Sequence, residues 1–200
     1  MAINPKDLIF EVVDGKPIYY QNYKAVAEGN YPLALAKERN PFAQGLRGEI
    51  IKEIETYLFA KKYQLVTDRI GLRINDKTFR KIDLAIYDRE ELGDAQIGEN
   101  YLLDVAPEIW IAIDTLADLS HFKNPYNYYN EKSNDVLELG GRKVIWIFTK
   151  TRKVLTSQPN SLSFDIHEWD DDVFISKKLK LNMLALEKQL PELPETVEED

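Results

Sequence analysis

Two short apolar segments each carry a carboxylate that is out of place. The first is Lys81-Ile82-Asp83-Leu84-Ala85-Ile86-Tyr87 and the second is Pro107-Glu108-Ile109-Trp110-Ile111-Ala112-Ile113-Asp114-Thr115. Both read as strands, rich in β-branched and aromatic residues. A carboxylate buried in such a strand is costly unless it is paired, hydrogen-bonded or bound to a cation. Two of them on neighbouring strands could hold one divalent ion near a scissile phosphate. Each aspartate also has a structural reading. Asp83 could accept hydrogen bonds from a neighbouring loop, and Asp114 could cap the turn that follows its strand. Position 112 bears on the choice, because residues i and i+2 of a strand share a face, which puts Ala112 on the side of Asp114.

Other residues could join such a site. Glu49 lies on a helix before these strands, either in a solvated ladder with Glu53 or reaching over the sheet end towards a metal. Lys132, on a helix after the second strand, is either a surface ion-pair partner or a cation that stabilises phosphate charge. His121 reads as a surface loop residue more readily than as a general base. Tyr126, Tyr128 and Tyr129 could stack on bases but suit the packing face of their helix. The chain contains no cysteine and only two distant histidines, His121 and His167, so zinc and thiolate sites are excluded. Any metal would have oxygen ligands, with Mg2+ or Mn2+ the natural candidates. No Gly-rich phosphate loop, G-x-S-x-G or H-E-x-x-H motif is present.

The elements that must position these residues follow from periodicity. Residues 8–20 predict a hairpin around Asp14-Gly15, a strong turn signal. Residues 21–40 read as a short helix and loop. Pro41 opens a helix to about Lys62, with Phe42, Leu46, Ile50, Ile54, Tyr57 and Leu58 as its apolar stripe. Strands follow at 64–67, 70–74 and 80–88, then a polar loop over 89–104 and the second carboxylate strand over 107–115. A helix over 126–139 ends at Gly140-Gly141. Lys143–Phe148 is an apolar run suited to a central strand buried on both faces. Outer strands near 154–156 and 164–167 and a short helix over 182–189 complete the pattern. The expectation is an α/β (α+β) fold, one mixed sheet flanked by helices with an N-terminal hairpin, in a single domain of residues 1–190. Residues 191–200 form an acidic tail expected to be disordered.

The 200 residues suffice for one real core, and 44% of them are hydrophobic. The net charge of −8 argues against a broad basic surface but leaves room for a local basic groove. No apolar run approaches a membrane span, and the N-terminus lacks an apolar leader, so a soluble cytoplasmic protein is expected.

Ile82–Asp88, Pro107–Asp118, Tyr128-Tyr129-Asn130-Glu131-Lys132 and Lys143–Thr149 occur in an order and spacing that resembles the Uma-type restriction endonuclease family. These are small bacterial proteins of the PD-(D/E)XK nuclease superfamily, and the likeness covers roughly residues 8–185. It implies a restriction-endonuclease-like mixed sheet and metal-dependent hydrolysis of a DNA phosphodiester. Carried across, Asp83 looks like the first metal aspartate and Lys132 like a helix lysine replacing that of the nominal motif. Asp114 would be the second site carboxylate, and Glu49 is similar to a helix acid of related nucleases. The sequence departs from the family where Ala112 stands at the expected glutamate and Leu116 at an expected lysine. Asp114 could replace the glutamate only with a shifted metal, because it lies roughly 6.5 Å further along the strand. Two readings follow: an active Mg2+- or Mn2+-dependent endonuclease, or a nuclease fold kept for binding nucleic acid or protein after catalysis was lost. An unrelated α/β domain with structural aspartates is a third. A homodimer would suit cleavage of both DNA strands.

Overall fold

The computed structural model describes residues 3–57, 62–67, 71–93 and 102–191. Strands β1 (Ile9–Val13) and β2 (Lys16–Tyr19) form the expected hairpin, with Asp14 and Gly15 at φ of 50° and 76°. Both turn residues take positive φ, the conformation that matches the twist of a two-residue hairpin. Two short helices, α1 (Tyr23–Ala27) and α2 (Leu33–Ala36), stand where one helix and a loop were expected. Helix α3 (Pro41–Tyr57) follows, and the expected continuation to Lys62 lies largely outside the described residues. Next come β3 (Tyr63–Thr67), β4 (Gly71–Asn75), β5 (Thr78–Lys81) and β6 (Leu84–Asp88). The polar segment contains the one-turn helix α4 (Arg89–Leu92), capped by Asp88, and the two-residue strand β7 (Leu102–Leu103). The remaining elements are β8 (Ile109–Ile113), α5 (Pro125–Glu138), β9 (Lys143–Phe148), β10 (Lys153–Ser157), β11 (Asp165–Glu168), β12 (Asp172–Phe174), β13 (Lys180–Asn182) and α6 (Met183–Glu187). The acidic tail from residue 192 lies outside the described residues, and no described helix is long and apolar enough to cross a membrane.

The strands form two main sheets where a single mixed sheet was expected. One has the order β2-β1-β5-β4-β7, the other β11-β10-β9-β8-β6-β3, and β12 and β13 pair separately. In the six-stranded sheet β8 and β9 run parallel, and α5 supplies the crossover that a parallel pair needs. Strand β9 is central, and Val144–Ile147 are buried on both faces as their unbroken apolar run requires. Alternation sorts the side chains. Leu84, Ile86, Ile111, Ile113, Ile145 and Ile147 meet Leu46, Ile50 and Ile54 of α3. Ala85, Tyr87, Trp110, Ala112, Val144 and Trp146 face the other way, into a core shared with α5 and the five-stranded sheet.

The expected strand over 80–88 is two strands. Strand β5 belongs to the five-stranded sheet and β6 to the six-stranded one, and the chain crosses between them at Ile82-Asp83. The break overturns the simple alternation: Ile82 packs with Ala85 and Tyr87, not with Leu84 and Ile86. Asp83 is therefore a junction residue, placed where two sheets and the start of α3 meet.

Candidate functional site

A cleft of about 760 Å3 opens at this junction. Asp83, Ala112, Asp114 and Lys132 all line it, so the structure brings together three of the four residues singled out for chemistry. Glu49 is not among the lining residues. It faces away on α3 and accepts a hydrogen bond from Lys52 at 2.6 Å, in place of the reach towards the cleft.

Asp83 is 6% exposed, and its carboxylate is bound on both oxygens. Arg39 approaches Oδ1 at 2.8 Å, and Arg47 donates Nε–H to the same oxygen at 3.2 Å. The amide of Ile113 donates to Oδ2 at 2.9 Å. The ladder between β6 and β8 ends with Leu84 opposite Ile111, so the Asp83 side chain takes up an amide beyond the last rung. Arg39, from the loop after α2, also donates Nε–H to the Ile113 carbonyl at 3.3 Å. Arg47 is presented by α3, whose first turn is capped by Asn40 through the Ala43 amide at 2.8 Å.

Asp114 follows the end of β8 and takes φ of +43°, so strand alternation stops before it and Ala112 does not predict its direction. Its carboxylate accepts the Thr149 amide at 3.0 Å and the Thr149 hydroxyl at 2.5 Å. The side chain is thus spent on the end of β9, not on the turn after its own strand that the sequence suggested. A residue with a short polar side chain tolerates left-handed backbone when local hydrogen bonds hold it.

Lys132 is 2% exposed and is no surface ion-pair partner. Its Nζ donates to Glu11 Oε1 and lies 3.4 Å from the Tyr128 hydroxyl. The Trp110 ring is 4.7 Å away and the Phe10 ring 5.3 Å. Burial pulls the Lys132 pKa below the usual lysine range, while Glu11 opposes that pull. Glu11 is wholly buried on β1 and is the hub of this side of the cleft. It accepts the Lys81 amide at 2.9 Å, the Tyr128 hydroxyl at 3.0 Å and Arg80 Nη1–H at 3.4 Å. Arg80, 1% exposed, also binds Asp135 through Nε–H at 2.6 Å and Glu131 at 3.2 Å. Burial, then the Glu11 charge, holds the Tyr128 hydroxyl well above its ordinary pKa. Helix α5 thus ties the sheets together: its polar residues meet Glu11 and Arg80, while Ser133 accepts the Trp146 indole N–H at 2.9 Å.

The sequence reading missed Glu11, Arg39, Arg47 and Arg80. For Glu11 the signal was present, since it interrupts Ile9-Phe10-Glu11-Val12-Val13 as Asp83 interrupts its own segment. Arg47 had a signal too: Ala43, Arg47, Ile50 and Ile54 follow helical spacing and all are buried. His121 is exposed, Leu116 lines the cleft, and Tyr128 and Tyr129 pack against Trp146.

The fit of a divalent ion can be tested on these donors. Asp83 is neutralised by two guanidinium groups, both Asp114 oxygens serve Thr149, and Ala112 offers no oxygen from its side chain. Among the described residues no group of three or more histidines or carboxylates is placed to hold a metal ion. The residues as arranged do not fit Mg2+ or Mn2+, which favour several oxygen ligands.

No protein-family model and no curated protein matches the chain. Among solved structures it is similar to a protein from Anabaena variabilis described as "a putative nuclease belonging to DUF820". The likeness covers 89% of each chain with a TM-score of 0.65 and 14% sequence identity. The two chains share a fold. At that identity the likeness speaks for the fold alone, and what the cleft does rests on its own residues.

Proposed function

We propose that this chain descends from metal-dependent endonucleases of the PD-(D/E)XK type, in the Uma-type branch, and keeps the nuclease scaffold to bind nucleic acid. One observation carries the reading: the junction aspartate, Asp83, is occupied by Arg39, Arg47 and the Ile113 amide, while Ala112 stands where a second carboxylate would face it. A site whose main contribution is electrostatic stabilisation loses most of its power when a ligand carboxylate becomes a methyl group. The partner is DNA on this reading, gripped at a cleft and not across a basic face, in keeping with the net charge of −8.

The fully active reading is supported by a second observation, that Asp83, Asp114 and Lys132 share one cleft. It requires Mg2+ or Mn2+ held by Asp83 and Asp114 after both arginines and Thr149 have let go. Supercoiled and linear DNA, incubated with the protein and either metal, separates the two. Binding without cleavage is expected from the parent chain. Metal-dependent nicking that disappears in Asp83→Asn would establish the active enzyme instead. A two-fold dimer would set two clefts on one duplex, and sedimentation velocity measures whether one forms.

A further inference from the structure

We infer that the outer edge of the six-stranded sheet, strand β11, pairs with β11 of a second copy of this chain about a two-fold axis at Ile166. No step of this depends on the nucleic-acid reading. β11 stands at the end of the sheet order and is paired on one side, with β10. The hydrogen bonds at its end show which backbone groups are left over. Glu168 donates its amide to Asp171 Oδ2 at 2.8 Å and accepts the Asp171 amide at 3.2 Å, so its backbone groups turn away from β10. These directions alternate along an antiparallel strand, so the Ile166 groups also point outward, while Asp165 and His167 face Thr156 and Val154. The Ile166 side chain is 68% exposed although it sits mid-strand opposite Leu155. Leu162, two residues before Phe164, is wholly exposed, and Tyr126, 42% exposed, packs edge-on against Phe164 at 5.4 Å. An apolar edge with open backbone groups is a template for another strand.

Charge complementarity selects both the occupant and the register. In an antiparallel pair, outward-pointing residues meet outward-pointing ones, so the registers open to β11 against itself differ in steps of two residues. With Ile166 opposite the partner's Phe164, Asp165 meets the partner's Asp165. With Ile166 opposite the partner's Glu168, His167 meets the partner's His167. With Ile166 opposite the partner's Ile166, Asp165 meets the partner's His167, and the two-fold repeats the contact. Opposed unlike groups support a sheet and like charges destabilise it. His167 Nε2 lies 3.1 Å from Thr156 Oγ1, which leaves Nδ1 for a carboxylate. The two Ile166 residues exchange their amide and carbonyl bonds at the axis. Asp171 closes the strand at Glu168, so the join is short and reversible.

The test uses the full chain. Sedimentation velocity at rising protein concentration should show monomer giving way to dimer. Ile166→Lys sets two like charges against each other at the axis and should leave monomer alone. Its side chain is exposed, so the fold is not at stake, and circular dichroism checks this. Asp165→Lys should raise the dimer Kd by about tenfold, through two contacts turned from favourable to unfavourable. Adding His167→Asp to Asp165→Lys should restore the dimer, because unlike charges then meet again. The chain has no cysteine, so Ile166→Cys introduces a single thiol. Opposed Cα atoms of a hydrogen-bonded pair lie about 5.5 Å apart, within disulfide reach. Mild oxidation should therefore link Ile166→Cys chains in pairs and leave Lys52→Cys, at an exposed position on α3, single. The inference is overturned by monomer at every concentration, by a dimer that survives Ile166→Lys, or by failure of His167→Asp to rescue Asp165→Lys. Equal cross-linking of Lys52→Cys and Ile166→Cys overturns it too. Nucleic-acid binding by a chain that stays monomeric would overturn the pairing and leave the nucleic-acid reading standing.

Discussion

Replacing Glu11 by leucine should be among the most damaging single changes in the protein. Glu11 is wholly buried and accepts from Lys132, Arg80, Tyr128 and the Lys81 amide. Removing it leaves a buried ammonium, a hydroxyl and an amide without their acceptor. Breaking one side of a buried ion pair costs about 3–5 kcal/mol, a large part of the 5–15 kcal/mol that holds a typical domain together. Arg80 keeps Asp135 and Glu131, so most of the loss falls on Lys132. Lys132 has an escape, because burial already lowers its pKa and the loss of Glu11 lowers it further. Between that depressed value and the ordinary lysine value near 10.5, the unfolded chain binds more protons than the folded one, so stability rises with pH. The Glu11→Leu defect should therefore shrink as pH rises towards 10.5. Urea unfolding followed by tryptophan fluorescence reads this, since Trp110 and Trp146 surround Lys132. The double variant Glu11→Leu with Lys132→Met should recover much of the loss at neutral pH, because no unpaired charge remains. A single-variant loss below about 1 kcal/mol, or a double variant no better than Glu11→Leu, would refute the reasoning.

Asp114→Ala should destabilise the protein by about 1–3 kcal/mol in the same unfolding assay, because the Thr149 amide and hydroxyl lose their acceptor. Burial, partly offset by Arg142 and reinforced by Glu91 and Asp88, raises the Glu108 pKa above its usual 4.5. Its stabilising contribution is thus present below that value and lost as pH rises through the folded one, so Glu108→Gln should gain on the parent from acid towards neutral pH. Burial also holds the Tyr87 hydroxyl above its ordinary pKa of 10.0, as it does that of Tyr128. Their contribution is present below 10.0 and lost above it, so absorbance at alkaline pH should show fewer than the 11 tyrosines ionising until the chain unfolds.

Periodicity made the elements legible where one face is buried. The β9 run, the α5 boundaries and the Asp14-Gly15 turn all followed from local chemistry. The division into two sheets did not, because residues 80–88 read as one strand, whereas Thr78–Lys81 and Leu84–Asp88 belong to different sheets with the chain crossing between them at Ile82-Asp83. The same limit governed the site. A carboxylate in an apolar strand announces that it must be paired, and Asp83 and Asp114 are paired. The nature of the partner depends on contacts far along the chain. Arg39 and Arg47 reach Asp83 from the α2–α3 region, and Thr149 reaches Asp114 from the end of β9. Lys132 read as a surface lysine or a phosphate contact because its acceptor, Glu11, lies 121 residues away.

The central claim is that arginine, not a divalent ion, satisfies the junction aspartate. Titrating the protein with Mn2+ and following the free ion by electron paramagnetic resonance tests it most directly. The account predicts no saturable Mn2+ binding by the parent chain and none by Asp83→Asn. One equivalent of Mn2+ bound by the parent and lost in Asp83→Asn would contradict it.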